Sequence, residues 1–206
     1  MKRFETLHGV AAVLRDSNID TDALAPARFL RTANPSLRTA LLANMRYDSQ
    51  GQERAEFVLN RSPFRNCSIL IAGDNFGCGS SREAAVWALL QFGIRCVIAP
   101  SFGDIFFENS FKNGLLPILV SVKEHQILTE ILNLDPSRPV SVSLDECLVR
   151  IAGADAIAFS VSQLRRAKLL YGLSDIDLSL KYSQEIENYE DRDRRERPWI
   201  YLTPSL

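Results

Sequence analysis

The chain is poor in the residues that build metal centres and cross-links. It has four cysteines and two histidines in 206 residues. Cys67, Cys78, Cys96 and Cys147 form no close pair, so a zinc or iron–sulfur site built by this chain alone is not expected. No apolar run approaches the roughly 20 residues of a membrane span, and the N-terminus lacks the hydrophobic region of a signal peptide. A cytoplasmic protein is the expectation. Charge of one sign is lacking too: 24 basic residues against 25 acidic ones give a net charge of −1. The basic residues form no stripe, which argues against nucleic acid as a partner. Internal repeats are absent.

What the chain does have is a strand, a glycine turn and a helix in succession. Ser68-Ile69-Leu70-Ile71-Ala72 is a short apolar run of buried-strand type. Gly73-Asp74-Asn75-Phe76-Gly77-Cys78-Gly79-Ser80-Ser81-Arg82-Glu83 follows, and then the apolar run Ala84 to Leu90. Ser80 and Glu83 stand at capping-box spacing, which predicts that they close the helix start, and Gly93 is its stop. The first N–H groups of a helix lack intrahelical partners and favour an anion in front of them. Gly77 and Gly79 allow close backbone approach, and Ser80, Ser81 and Arg82 add two hydroxyls and a guanidinium suited to carboxylate or phosphate. Three familiar motifs fail here. A P-loop needs Lys where Ser80 stands, a dinucleotide fingerprint needs glycine at Arg82, and neither serine has the flanking glycines of a hydrolase elbow.

The stretch Asn75 to Glu83 resembles the signature of the aconitase superfamily's swivelling domain, in the form found in 3-isopropylmalate dehydratase small subunits. The resemblance extends through Asn18-Ile19-Asp20-Thr21-Asp22, Phe57-Val58-Leu59-Asn60, Val97 to Phe102, Asp104-Ile105-Phe106, Asn109-Ser110-Phe111 and Asn113 to Pro117. It implies an α/β fold, a β/β/α swivelling domain with a parallel-strand core and a strand–turn–helix active-site loop. It also implies a small subunit that acts only with a large one carrying a [4Fe–4S] cluster, on a small hydroxy-dicarboxylate. The implied reaction is the dehydration and rehydration that interconverts 2- and 3-isopropylmalate in leucine biosynthesis. A sister hydro-lyase for another 2-substituted malate, or a non-catalytic anion-binding module, would retain the same turn.

The resemblance also assigns roles. Ser80 is the expected base and Arg82 the carboxylate clamp that stabilises its alkoxide, with Ser81, Gly79 and Cys78 beside the substrate. Asp22 lines the site by resemblance, whereas local chemistry lets Asp20 or Asp22 cap a helix or turn over Ala23 to Phe29. Arg28, Arg31 and Arg38 are candidates for substrate specificity around an Asn34-Pro35-Ser36 loop, although arginines of this kind are commonly solvated. Two positions depart from the family pattern: Ala40-Leu41-Leu42 replaces a glycine-containing segment, and Ala84 stands where histidine is common.

Elsewhere, residues 4–14 predict a strand, 45–56 a surface loop, Arg95 to Ala99 and Leu115 to Val120 further strands, and Phe102 to Asn113 a helix ended by Gly114. Short connections between them argue for parallel pairing. Pro139 to Val149 and Ala156 to Val161 predict more strands around the Ala152-Gly153-Ala154-Asp155 turn, and Ser162 to Tyr171 a helix ended by Gly172. Cys67 and Cys96 read as reduced core residues. The swivelling domain is placed at residues 1–182, and residues 183–206 are read as a charged helix or tail.

Overall fold

A computed structural model describes residues 1–31 and 36–201. The chain divides into two units, Met1–Gly172 and Leu173–Leu206. The first begins with β1 (Leu7–Leu14), followed by the one-turn helices α1 (Thr21–Leu24), α2 (Ala27–Leu30), α3 (Leu37–Ala40) and α4 (Ala43–Arg46). Then come β2 (Ile69–Ala72), α5 (Glu83–Phe92), β3 (Cys96–Ala99), α6 (Asp104–Asn113), β4 (Leu116–Leu119) and α7 (Val122–Leu134). The unit closes with β5 (Pro139–Ser143), β6 (Leu148–Ile151), β7 (Ile157–Ala158) and α8 (Gln163–Tyr171). The second unit contains α9 (Asp175–Ser179) and α10 (Ser183–Glu196), the latter almost wholly exposed.

Seven strands form one sheet in the order β4-β3-β2-β1-β5-β6-β7. β1 to β4 pair in parallel, and β5 joins β1 antiparallel to start a meander through β7. β2 and β3 are buried at every position because each face of the sheet carries its own core. Leu70, Ala72, Val97 and Ala99 point into one core with α5, while Ile69, Ile71, Cys96 and Ile98 point into the other with Leu128 and Leu132 of α7. The side-chain alternation of a strand separates the two sets. Gly93 and Gly114 end α5 and α6 with φ of 120° and 90°, in the left-handed conformation that glycine adopts without steric cost.

Several features differ from the sequence reading, among them the strand expected over Pro139 to Val149, which is two antiparallel strands, β5 and β6, around a turn at 144–147. The helix expected over Ala23 to Phe29 is broken, since Ala25 leaves helical geometry ahead of Pro26 and α2 restarts at Ala27. α7 is an element for which the sequence reading had no counterpart. The expected capping box at α5 does not form, as described below. Ala40, Leu41 and Leu42 are fully buried core residues, and Leu42 takes φ 51°, a left-handed backbone that explains why a glycine-containing segment suits this place. Ala84 is likewise buried. The Thr32 to Pro35 part of the expected specificity loop lies outside the described residues. No helix among the described residues is long and apolar enough to cross a membrane.

Candidate active site

The parallel strands β1, β2 and β3 end on the same side of the sheet, and the three segments that follow them converge there. This carboxyl edge is where open α/β sheets place ligands. The turn after β2 is stitched to both neighbours through its backbone. On one side Asn18 N–H donates to Asp74 O at 2.8 Å, Gly77 N–H to Ile19 O at 2.7 Å and Thr21 N–H to Cys78 O at 2.9 Å. On the other, Phe76 N–H donates to Ser101 O at 3.2 Å and Gly103 N–H to Phe76 O at 2.9 Å. Asn75 N–H donates to Ser101 Oγ at 2.8 Å, and Asn75 Nδ2 to Asn18 Oδ1 at 2.8 Å.

Glycine is required inside this clamp. Gly77 has φ 73°, and a Cβ there would lie 2.2 Å from Cγ of Phe106; a Cβ on Gly103 would lie 2.6 Å from the Gly77 carbonyl oxygen. The ring of Phe76 is buried beneath, edge-on to Phe102 and Phe106 at centroid separations of 6.4 and 5.5 Å. The turn is therefore fixed from below by aromatic packing and from both sides by main-chain hydrogen bonds.

The clamp decides between the two aspartates. Asp20 Oδ1 accepts from Ala23 N–H at 2.7 Å and caps α1, which leaves the Asp22 carboxylate free to pair with the Arg82 guanidinium. Residues 60 positions apart in sequence thus meet at the mouth of the turn. Thr21, to which the sequence reading assigns no role, is buried and donates its hydroxyl to the Ser80 carbonyl at 2.9 Å. Its signal lay only in its place between the two aspartates.

α5 does not begin at Ser80. Its cap is Arg82, with no side-chain cap bond, and Arg82 N–H donates to Ser80 O at 2.8 Å. Glu83 is turned away to accept from Asn113 Nδ2 at 2.7 Å. Ser80 and Ser81 are exposed, and their hydroxyls have no hydrogen-bond partner among the described residues. Gly79 is exposed with φ 90°, and Cys78 is partly buried. Ser80, Ser81, Arg82, Asp22, Gly79 and Cys78 accordingly share one surface ahead of the α5 N-terminus.

The other arginines are not brought to it in the same way. Arg38 donates from Nη1 to Phe92 O at 2.5 Å and from Nη2 to Arg65 O and Asn66 Oδ1 at 3.2 and 3.3 Å, so it closes the C-terminal end of α5. The helix has ten residues, about 15 Å along its axis. Arg28 is exposed, stacks 4.8 Å from the centroid of the Phe29 ring, and lines a cavity of about 650 Å3 with Thr39, Asn44, Tyr47 and Arg54. Arg31 is exposed at the end of α2.

The family description "Aconitase C-terminal domain" matches residues 1–123, which hold the whole clamp and signature turn. The chain belongs to the aconitase C-terminal domain family. Family relatives align over nearly its full length. A 3-isopropylmalate dehydratase small subunit from Rhodospirillum centenum is 48% identical over 200 residues, covering 97% of this chain and 98% of the relative. Another, from Azorhizobium caulinodans, is 45% identical over 203 residues, covering 97% and 100%. Among solved structures, a 3-isopropylmalate dehydratase from Methanocaldococcus jannaschii superposes with a TM-score of 0.63 at 28% identity, covering 90% of this chain and 99% of that one.

Within this family frame the donor set does not suit a cluster on this chain. No group of three or more His, Cys, Asp or Glu side chains is gathered among the described residues. Cys67 and Cys96 are buried in separate cores, where burial pushes the Cys67 thiol up to about 12 and the Cys96 thiol further still. A metal ligand must be a thiolate, so these two sulfurs are poor ligands.

Proposed function

We propose that the chain is the small subunit of a 3-isopropylmalate dehydratase, a hydro-lyase of leucine biosynthesis that interconverts 2- and 3-isopropylmalate by removing and re-adding water. The observation that carries the reading is the Asp22–Arg82 pair beside two unbonded, exposed serine hydroxyls at the head of α5. The [4Fe–4S] cluster implied by the family belongs on a larger partner subunit, where it would supply Lewis acidity toward the departing hydroxyl.

Arg82 binds a substrate carboxylate through its planar fork, and Asp22 fixes the direction of that fork. Removal of a proton from the carbon next to a carboxylate needs a base, which is assigned to Ser80. A serine hydroxyl is too weak an acid to supply its anion unaided. The α5 N-terminus and the Arg82 charge stabilise that anion, as they would any oxyanion at a helix start. The proton taken in the dehydration half is returned in the rehydration half, at the neighbouring carbon. Ser81 supplies a hydrogen bond to the substrate, and Cys78 and Gly79 let the backbone lie close to it. Arg28 and Arg31, exposed on α2, are the candidates for telling one 2-substituted malate from another.

Co-expression with a large subunit and assay of the purified complex on 2-isopropylmalate and a panel of other 2-substituted malates tests the reading. Activity is expected only for the complex and highest on 2-isopropylmalate. A chain that captures no partner and stays inactive would instead be an anion-binding module, and a preference for another malate would assign a sister activity.

A further inference from the structure

The C-terminal end of α5 faces a second set of cations that the signature turn does not use. Arg38, Arg46 and Arg65 line a cavity of about 270 Å3 together with Asn66 and Phe92, and among the described residues its one carboxylate is Glu53. Three guanidiniums against one carboxylate leave two positive charges in excess.

Arg46 is the unusual member. It is 5% exposed and has no carboxylate partner among the described residues. Nε donates to Asn60 Oδ1 at 3.0 Å, and Nη1 to the carbonyls of Arg38 and Leu41 at 2.9 and 3.2 Å. That leaves Nη2 with no bond among the described residues. Its guanidinium lies 5.1 Å from the ring centroids of both Tyr47 and Phe92, while Arg38 sits 4.9 Å from the Phe92 ring. Burial lowers the Arg46 pKa; Tyr47 and Glu53 oppose that, and the charges of Arg38 and Arg65 reinforce it. Arg65 pairs with Glu53, and both are partly exposed.

Arg46 has a buried stem and an N–H edge that reaches solvent, since Nη2 is not among the enclosed unpartnered polar atoms, and with like-charged neighbours that open edge favours an anion. We infer that this cavity binds a small dianion, a phosphate or a short dicarboxylate, seated between Arg46 and Arg65 at the end of α5 away from the signature turn. The ligand would supply the counter-charge that Glu53 alone does not, and would tie the 37–47 and 53–66 segments to α5. Nothing in this inference depends on the catalytic roles of Ser80 and Arg82.

Calorimetric titration of the full-length chain with inorganic phosphate, and separately with succinate, at constant ionic strength against a chloride control, tests it. Saturable binding is expected to persist in Arg82→Gln, in which the signature turn has lost its own carboxylate clamp, with the stronger of the two ligands naming the anion class. Arg65→Gln removes one charged donor at the exposed mouth and should weaken binding about tenfold. Glu53→Gln should strengthen it, because the competing carboxylate is gone, and this opposite sign is something a merely structural pair would not produce. Arg82→Gln should leave the affinity unchanged. Binding that disappears in Arg82→Gln and survives in Arg65→Gln would place the anion on the signature turn and overturn the inference, as would the absence of saturation beyond the chloride control.

Discussion

Two helices of this chain are preceded by the same local pattern, and only one of them uses it. Ser121-Val122-Lys123-Glu124 closes a capping box at α7: Glu124 N–H donates to Ser121 Oγ at 3.2 Å, and the Glu124 carboxylate accepts from Ser121 N–H at 2.7 Å. Ser80-Ser81-Arg82-Glu83 has identical spacing at α5, yet no box forms. The difference lies upstream. At α7 the preceding residues are an ordinary strand end. At α5 the left-handed Gly77 and Gly79, the pairing with residues 18–21 and the Thr21 bond to Ser80 O hold the turn away from the helix, so the cap falls on Arg82 instead of Ser80. A serine held out of its cap keeps an exposed, unbonded hydroxyl. That is what a group meeting substrate requires and what a cap residue cannot offer.

The comparison is broken or sharpened first at Ser80, where the largest effect is expected. Ser80→Ala should lower kcat of the reconstituted complex by several powers of ten while leaving the unfolding midpoint of the chain in place, because no cap is lost. A variant that unfolds earlier but turns over normally would return Ser80 to the role that Ser121 plays. Arg82→Lys comes next. It keeps the charge and loses the fork, so kcat/KM should fall by about tenfold to about 100-fold, the value of a charged hydrogen bond. Stability should change little, since a half-exposed pair such as Asp22–Arg82 contributes about 0–1 kcal/mol. A loss confined to stability would make the pair structural.

Legibility followed locality. β2, the turn, α5, α6 and the Gly93, Gly114 and Gly172 stops could be read because apolar runs and left-handed glycines act over a few residues. The family fold and reaction were legible from one stretch, Asn75 to Glu83, and its echoes. Four things were not. The capping box at α5 was overridden by long-range pairing that no local window contains. The choice between Asp20 and Asp22 depended on where Arg82 lies, and Arg38 turned out to cap α5 from behind because Phe92 O is there to receive it. α7 was missed although its signals were present, the Ser121–Glu124 spacing and Leu128 with Leu132 on one face. Ile127, Leu128, Ile131 and Leu132 repeat at helical spacing, so its stripe was as legible as that of α6.

The smallest effect belongs to the box that forms at α7. Ser121→Ala should cost about 1 kcal/mol of stability and leave turnover unchanged. The hydrogen bond from the Ser121 side chain, with that from its backbone N–H, holds the Glu124 carboxyl below its ordinary value. A carboxylate whose pKa is lowered on folding contributes stability that is fully present above its unfolded pKa, about 4.3, and is lost as pH falls through the folded value. The gap between the natural chain and Ser121→Ala should therefore be widest near neutral pH and narrow as pH falls through the lowered Glu124 value, without closing, because Glu124 N–H still donates to Ser121 Oγ when the carboxyl is protonated. Urea unfolding at neutral and acid pH measures it. Ser80→Ala, run beside it, should show no gap at either pH; a gap that narrows in acid for Ser80→Ala as well would mean that the α5 box forms in solution, and the contrast between the two helices would be lost.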